Sequence, residues 1–466
     1  LYLIMTKSAE KLYMSYAVKN SEGAALMPSY IIRSMRKMFP QCLKLSYKDT
    51  AQQNSYVTIP HAAYSYEQTE TAANVDEDII DSLTGGRLVG SVTSFENFAE
   101  CPLRYYLRYG VDLKEREEFT FSPVNFGVVL HAVIREVCDE IKKNGESYYL
   151  ISEEKRREMV KKSVAAITDI YQNSILKDSS RNSFMIKRME DLADRTVWAM
   201  GEQLKCGDFV PFVFEHKFNM EVGDGDRKQL MSGTIDRVDI CENDTDVYVR
   251  IIDYKTGKKD FNIVKTYYGI DIQLMVYMEA AMKLVAKMRP GKNVLPAGVF
   301  YYNISDPIVS ATNESAEEIE DKIKGELRLK GMVNSDKDIA EKMDNTEGTS
   351  LNIPVSRKAD GGFDSRRSKV MNTEQFNMLG RFVDVRAVDT ADRIAGGDIR
   401  RSPYKDGQFS SCDRCPYGAV CGFSVDLPGC NYRKLKKFDD EVLWNNIKEG
   451  VDENGKKMDT GAEERD

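Results

Sequence analysis

Two strand-like runs lie close together in the chain, GTIDRVDI and RIIDYKTG, and each carries a carboxylate inside an otherwise apolar stretch. Burying an unpaired charge is costly, so such a chain must fold to bring compensating groups to these acids. Side chains two apart on a strand share a face, which sets Asp253 beside Lys255. A hairpin-like link would bring Asp236 beside Asp253. Two carboxylates can hold Mg2+ or Mn2+, and Mg2+ prefers oxygen ligands and keeps several waters. Such an ion lowers the pKa of a bound water and polarises a phosphoryl oxygen, and a nearby lysine can orient that water and offset developing negative charge. This is the set that phosphodiester hydrolysis needs. Asp-x-Lys alone is more often an exposed ion pair; the second Asp on a neighbouring apolar strand, and the helix downstream, distinguish this one.

The surroundings predict an α/β fold, a mixed sheet flanked by helices. PFVFEHKFNMEV, KQLMSGTIDRVDI and VYVRIIDYKTG read as three strands joined by short polar turns. A long helix over about 265–288 carries Gln273 and Tyr277 on one face, and AGVFYYNI is a further strand. Upstream, Ser122-Pro123 opens a helix to about Lys143 with His131 in its middle. Two more helices fill 152–176 and 182–205. Thr93-Ser-Phe-Glu96 has the form of a capping box for a short helix that Cys101-Pro102 ends. From the residues alone, His131, Gln273 and Tyr277 read as ordinary packed positions.

The length, 466 residues, suggests two or three domains. Residues 1–47 read as the end of one domain and 48–90 as a polar linker with Gly85-Gly86. Residues 306–372 read as a charged, Gly-rich insertion, 373–395 as a helix, and 436–466 as a charged tail, disordered from 450. The net charge of −8 argues against coating nucleic acid by bulk charge and leaves room for a local basic groove. Arg104, Tyr105, Tyr106, Arg108 and Tyr109 could line a strand-binding path or pack structurally; Arg366, Arg367, Lys369, Arg400 and Arg401 are candidate phosphate contacts. No apolar run approaches the ~20 residues of a membrane span, the start lacks a signal-peptide layout, and a beginning at Leu1 reads as a fragment. The three histidines show no metal-ligand spacing, and no H-E-x-x-H, G-x-S-x-G or G-x-x-x-x-G-K-[ST] occurs.

Cys412, Cys415 and Cys421 form Cys-x2-Cys-x5-Cys, a strong metal or cluster signal. The fourth ligand would be Cys101 or, in competition, Cys430. Four thiolates suit zinc or an iron–sulfur cluster alike. With Cys101 as the fourth, the site closes a loop of about 300 residues. Treated as a cross-link, that closure contributes at most ~5–6 kcal/mol, which points to a structural clasp.

Taken together, these motifs resemble those of AddB, the B-subunit family of bacterial ATP-dependent helicase/deoxyribonucleases, over residues 1 to about 440. The resemblance implies a RecB-like PD-(D/E)xK nuclease domain at 91–435, behind the remnant of a helicase-like domain at 1–47. It implies a [4Fe–4S] cluster on Cys101, Cys412, Cys415 and Cys421. It makes His131, in Gly127-x-x-x-His131, a metal ligand with Asp236 and Asp253. Beside Lys255, it places Gln273 and Tyr277 in the active site or on DNA. The opening LYLIMTKSAEKLYMSYA resembles the last motif of a superfamily 1 helicase, with Lys7 where an Arg usually reaches ATP, so the motor would reside in an AddA-type partner. By the same resemblance, this nuclease would work in the bacterial cytoplasm on the 5′-ended strand of unwound DNA, during repair of double-strand breaks. A CRISPR adaptation nuclease shares the cluster-bearing domain but is shorter and lacks the helicase-like start. A non-catalytic DNA-binding scaffold, its cluster a clasp or redox sensor, is the alternative of another class.

Overall fold

The computed structural model describes residues 12, 14, 16, 25–41, 74–76, 78–80, 89–114, 123–170, 180–222, 229–310, 312–427 and 430–452. The chain divides into two compact units, Leu1–Thr71 and Ala72–Asp466. In the first, helix α1 (Tyr30–Met38) is capped by Ser29, whose Oγ accepts from the Ile31 amide. The LYLIM run, Lys7 and the Gly85-Gly86 pair lie outside the described residues.

The second unit opens with β1 (Val89–Ser91), which leads straight into α2 (Val92–Glu100). After Cys101 a short helix, α3 (Pro102–Tyr105), runs into a π-helical turn at Tyr106–Gly110. Three long helices follow: α4 (Pro123–Lys143), α5 (Glu153–Ile170) and α6 (Ser180–Lys205). Next come β2 (Val210–Val222), β3 (Gln229–Glu242) and β4 (Asp246–Lys255), then α7 (Ile263–Tyr267), α8 (Gln273–Met288) and β5 (Asn293–Asn303). The chain continues through α9 (Ala316–Glu326), β6 (Lys330–Asn334), α10 (Lys337–Met343), β7 (Val370–Met371) and α11 (Thr373–Ala395). It closes with β8 (Tyr404–Asp406), β9 (Phe409–Ser410), α12 (Gly418–Cys421), β10 (Arg433–Lys434) and α13 (Asp440–Asp452).

The main sheet is mixed. Antiparallel pairing joins β2 to β3 and β3 to β4, β5 lies parallel to β4, and β6 and β7 extend the far edge. β2 runs along one edge of β3, while β1 and β4 take different stretches of the other. β4 is buried continuously from Val247 to Tyr254, as a central strand covered on both faces must be. Its alternation divides the core in two. Val247, Val249 and Ile251 pack with Phe95 and Phe98 of α2, Leu274 of α8, Phe382 of α11 and Ile447 of α13. Tyr248, Ile252 and Tyr254 face the other way, onto Val133 of α4, Val164 of α5 and Val197 of α6.

One buried ion network holds β3 against β4. The Arg237 guanidinium donates through Nε and Nη2 to the two oxygens of Asp239, each at 2.7 Å, and Arg250 Nε donates to Asp239 at 2.8 Å. The second Asp of the GTIDRVDI run is therefore structural. Its carboxyl lies below the usual range: burial works against its charge, and the two guanidiniums outweigh it.

Several sequence expectations need correction. Residues 306–372 are not simply an insertion, because they supply β6 and β7 to the main sheet. The span from 436 is not all tail: α13 buries Leu443 and Ile447 in the core. β1 begins at Val89, inside the expected linker. Thr93 to Glu96 is not a capping box; Ser91 caps α2 by accepting from the Ser94 amide at 3.1 Å.

Candidate active site and four-cysteine site

β3, β4 and α8 place the site at the carboxyl end of β4. Asp253 stands opposite Tyr301 of β5 and Lys255 opposite Asn303. Asp236 on β3 turns one carboxylate oxygen to the Tyr254 amide, 2.6 Å away, which anchors it next to Asp253. Asp253 is 2% exposed. Its Oδ2 lies 2.5 Å from Lys255 Nζ without a well-aligned hydrogen bond. Burial first, and the neighbouring Asp236 charge second, push its carboxyl up to about 7, against the pull of Lys255. Such a group is poised to gain from a cation that satisfies both carboxylates.

His131, from the middle of α4, brings Nδ1 to 3.4 Å from Asp236 and 3.6 Å from Glu215. Burial opposes a charge on this ring, but the hydrogen-bonding carboxylates of Asp236 and Glu215 outweigh it and push its pKa up to about 10. One ligand atom from each of His131, Glu215 and Asp236 lies within 4.8 Å of the others. These donors fit a divalent cation: two hard carboxylates and an imidazole, converging beside a buried acid that lacks an aligned donor.

Sequence reasoning missed Glu215. It lies in β2 opposite Asp236, between the paired residues Phe214 and His216. Its φ is +48°, in the left-handed region that non-glycine residues seldom enter. Strain of this kind is found where surrounding structure fixes a functional side chain. In the sequence Glu215 looks like the polar half of an alternating strand.

α8 completes the group. Lys255 Nζ donates to Gln273 Oε1 at 2.9 Å, and Gln273 Nε2 donates to the Tyr277 hydroxyl at 2.9 Å. The structure thus brings His131, Asp236, Asp253, Lys255, Gln273 and Tyr277 into one connected group. Gly233 of the GTIDRVDI run is also explained: a Cβ there would come within 2.7 Å of the Phe218 ring and 3.0 Å of the Tyr277 ring.

A second lysine, Lys259, was not foreseen. Its Nζ pairs with Asp271 at 3.0 Å and lies 4.5 Å from the centre of the Tyr301 ring. The Tyr301 hydroxyl donates to the same Asp271 oxygen at 2.6 Å.

The four cysteines expected to act together come from both ends of the unit. Cys101 ends α2, Cys412 and Cys415 sit in a turn where the Cys415 amide donates to the Cys412 carbonyl, and Cys421 ends α12. Burial raises the Cys412 thiol, and the nearby thiols of Cys101, Cys415 and Cys421 raise it further. A thiol raised by its neighbours in this way is suited to a metal, which removes its proton. The Phe423 amide already donates to Cys421 Sγ at 3.4 Å. Among the described residues no three of these thiols lie within 4.8 Å of one another. Cys430 is buried, its amide donating to the Leu427 carbonyl.

The proposed strand-binding residues are largely engaged elsewhere. Tyr105 is buried edge-on against Phe98. Arg104 pairs with Glu100, Arg108 lies over Tyr109, Lys369 pairs with Asp260, and Arg400 donates to Asp398. Arg401 donates to the Cys421 carbonyl, and Arg367 pairs weakly with Asp364. Tyr106 is partly buried and Arg366 exposed.

Residues 90–422 match the PD-(D/E)XK nuclease superfamily. The chain belongs to that superfamily. Beyond this PD-(D/E)XK nuclease core, the chain is 31% identical to the B subunit of the ATP-dependent helicase/deoxyribonuclease of Clostridium acetobutylicum, over 97% of its own length and 44% of the relative's. The proteins of the same name from Caldanaerobacter subterraneus subsp. tengcongensis and Lachnoclostridium phytofermentans are each 31% identical over all of this chain, and over 45% and 44% of their own lengths. The chain thus spans a little under half the length of these relatives. No helix among the described residues is long and apolar enough to cross a membrane.

Proposed function

We propose that this PD-(D/E)XK nuclease hydrolyses DNA with Mg2+ or Mn2+, as the nuclease part of one subunit in a helicase–nuclease complex that repairs double-strand breaks. The observation that carries the reading is the convergence of Asp236, Asp253, His131 and Glu215 beside Lys255. The names of the relatives support DNA as substrate and a partner subunit with it. The 5′-ended strand and an AddA-type motor rest on the family resemblance.

His131, Asp236 and Asp253 would hold the cation, with Glu215 as a further ligand. Bound there, it would supply an activated water and polarise the scissile phosphate. Lys255 is placed to orient that water and to meet negative charge as it develops. Gln273 holds Lys255 by its amide oxygen, and Tyr277 fixes which way that amide faces. Cys101, Cys412, Cys415 and Cys421 would hold a [4Fe–4S] cluster, a reading that rests on the family resemblance, since four thiolates suit zinc equally. The clasp would be structural, joining the two ends of the unit.

The deciding assay is degradation of end-labelled single-stranded DNA with Mg2+ or chelator, by wild type, Asp253→Ala and Lys255→Ala. Loss of cutting with chelator and in both variants is expected. Equal cutting by folded, cluster-loaded wild type and variants would leave a DNA-binding scaffold instead. Cys412→Ala is expected to lose iron and melt earlier; unchanged melting would end the clasp reading.

A further inference from the structure

Helix α8 begins without a cap of its own. Its N-cap is Ile272, whose side chain has no acceptor, yet the first amides of a helix need one. Glu96 supplies it from α2, 176 positions earlier. Glu96 Oε1 accepts from the Ile272 amide at 2.9 Å and from the Gln273 amide at 3.0 Å. Gln273, held at its backbone, offers its side-chain oxygen to Lys255. Through α8, one carboxylate oxygen therefore sets where the acceptor of Lys255 stands.

The same helix reaches the cysteine site. Cys101 closes α2, and its amide still donates to the Asn97 carbonyl at 3.1 Å, so Glu96 and Cys101 are parts of one rigid rod. The C-terminal segment grips the far end of that rod. Arg433 donates to the Ala99 carbonyl, and the Leu103 amide donates to the Arg400 carbonyl at 3.2 Å. Between the two ends, Phe95 and Phe98 anchor the rod in the core.

We propose that Glu96 is a positioning residue for Lys255, and that α2 is the tie through which the four-cysteine site and the nuclease centre share one frame. This rests on the nuclease reading above. Glu96 touches none of the reacting atoms; it acts through the first turn of α8. The tie also gives the cysteine site a second consequence: disturbing Cys101 loosens the cap on α8 as well as the clasp.

The test uses the full chain with its metals bound, in five variants: Glu96→Ala, Glu96→Gln, Lys255→Ala, the Glu96→Ala/Lys255→Ala double and Cys101→Ser. Hydrogen exchange at the Ile272 and Gln273 amides reads the cap directly. In Glu96→Ala these amides should exchange faster, and the single-turnover cutting rate should fall about 10- to 100-fold, the usual effect of losing a group that orients an active-site residue, with KM for DNA unchanged. Glu96→Gln keeps an oxygen that can accept from both amides, so it should recover most of the loss. Adding Glu96→Ala to Lys255→Ala should slow the residual single-turnover cutting, followed with enzyme in large excess over long incubation, no further, because the effect passes through that lysine. Wild-type cutting by Glu96→Ala, no recovery in Glu96→Gln, or additive losses would each overturn the positioning role. Full activity in Lys255→Ala would instead overturn the nuclease reading itself. For the tie, Cys101→Ser should speed exchange at Ile272 and Gln273 relative to amides in the middle of β4; unchanged exchange there would sever the cysteine site from the frame.

Discussion

Asp253→Asn is expected to make the metal-free protein more stable while abolishing its nuclease activity. Asp253 is almost fully buried, and its carboxyl is pushed from 3.8 to about 7 by burial and by Asp236. A carboxyl whose folded pKa is raised binds its proton more tightly in the native state. Native stability is therefore undiminished below pH ~4, falls as pH rises, and reaches its full loss above pH ~7. About three pKa units correspond to roughly 4 kcal/mol, and sharing among neighbouring charges brings the net effect to the order of 2–4 kcal/mol. Asparagine keeps the shape and removes the charge, and Lys255 retains Gln273 as its acceptor. Urea unfolding of the nuclease unit at pH 8, in excess chelator, should give Asp253→Asn a higher midpoint with an unchanged slope. At pH 5 the gap should shrink to less than half, because the wild-type acid is by then mostly protonated in the folded protein. Saturating Mg2+ should reverse the order, since wild type gains the larger binding free energy. A variant no more stable than wild type at pH 8, or a gap that persists unchanged to pH 5, would refute the buried-charge account.

Two further substitutions probe the same region. Glu215→Gln should weaken Mn2+ binding about tenfold in calorimetric titration while leaving the fold intact; unchanged affinity would remove Glu215 from the ligand set. Gly233→Ala should cost about 1–3 kcal/mol in urea unfolding, because its methyl group meets the Phe218 and Tyr277 rings. It should also slow cutting through the displaced Tyr277–Gln273 pair, and a variant as stable and active as wild type would show that the rings yield freely.

Asp236, Asp253 and Lys255 were legible because a period of two puts chemistry on one face of a strand, and an acid within an apolar run needs a reason to be there. The long helix from Pro123 was legible from its opening proline and apolar stripe, while the Asn372 capping box that starts α11 went unread. Glu215 was hidden because its strand alternates normally and nothing in the sequence marks its left-handed backbone. Glu96 misled for a different reason. Its spacing from Thr93 imitates a local cap, but Ser91 had already satisfied that helix start, leaving Glu96 free for the uncapped α8. β6 and β7 span only five and two residues within a charged stretch, too short to carry a periodic signal. His131 looks like any helical histidine until folding sets β2 and β3 across from it.

The way β1 and α2 are fastened bears on how the protein is made. Ser232 donates to the Gly90 carbonyl across 142 positions, Glu96 reaches α8 across 176, and Arg433 reaches Ala99 across 334. Contacts of such separation form slowly. Lys255 leaves the ribosome well before Cys412; at about 5–20 residues per second the interval is on the order of ten to thirty seconds. Throughout it, the nascent chain carries both carboxylates and the lysine of its chemistry, while the rod that aligns them still waits for a partner that has yet to be translated.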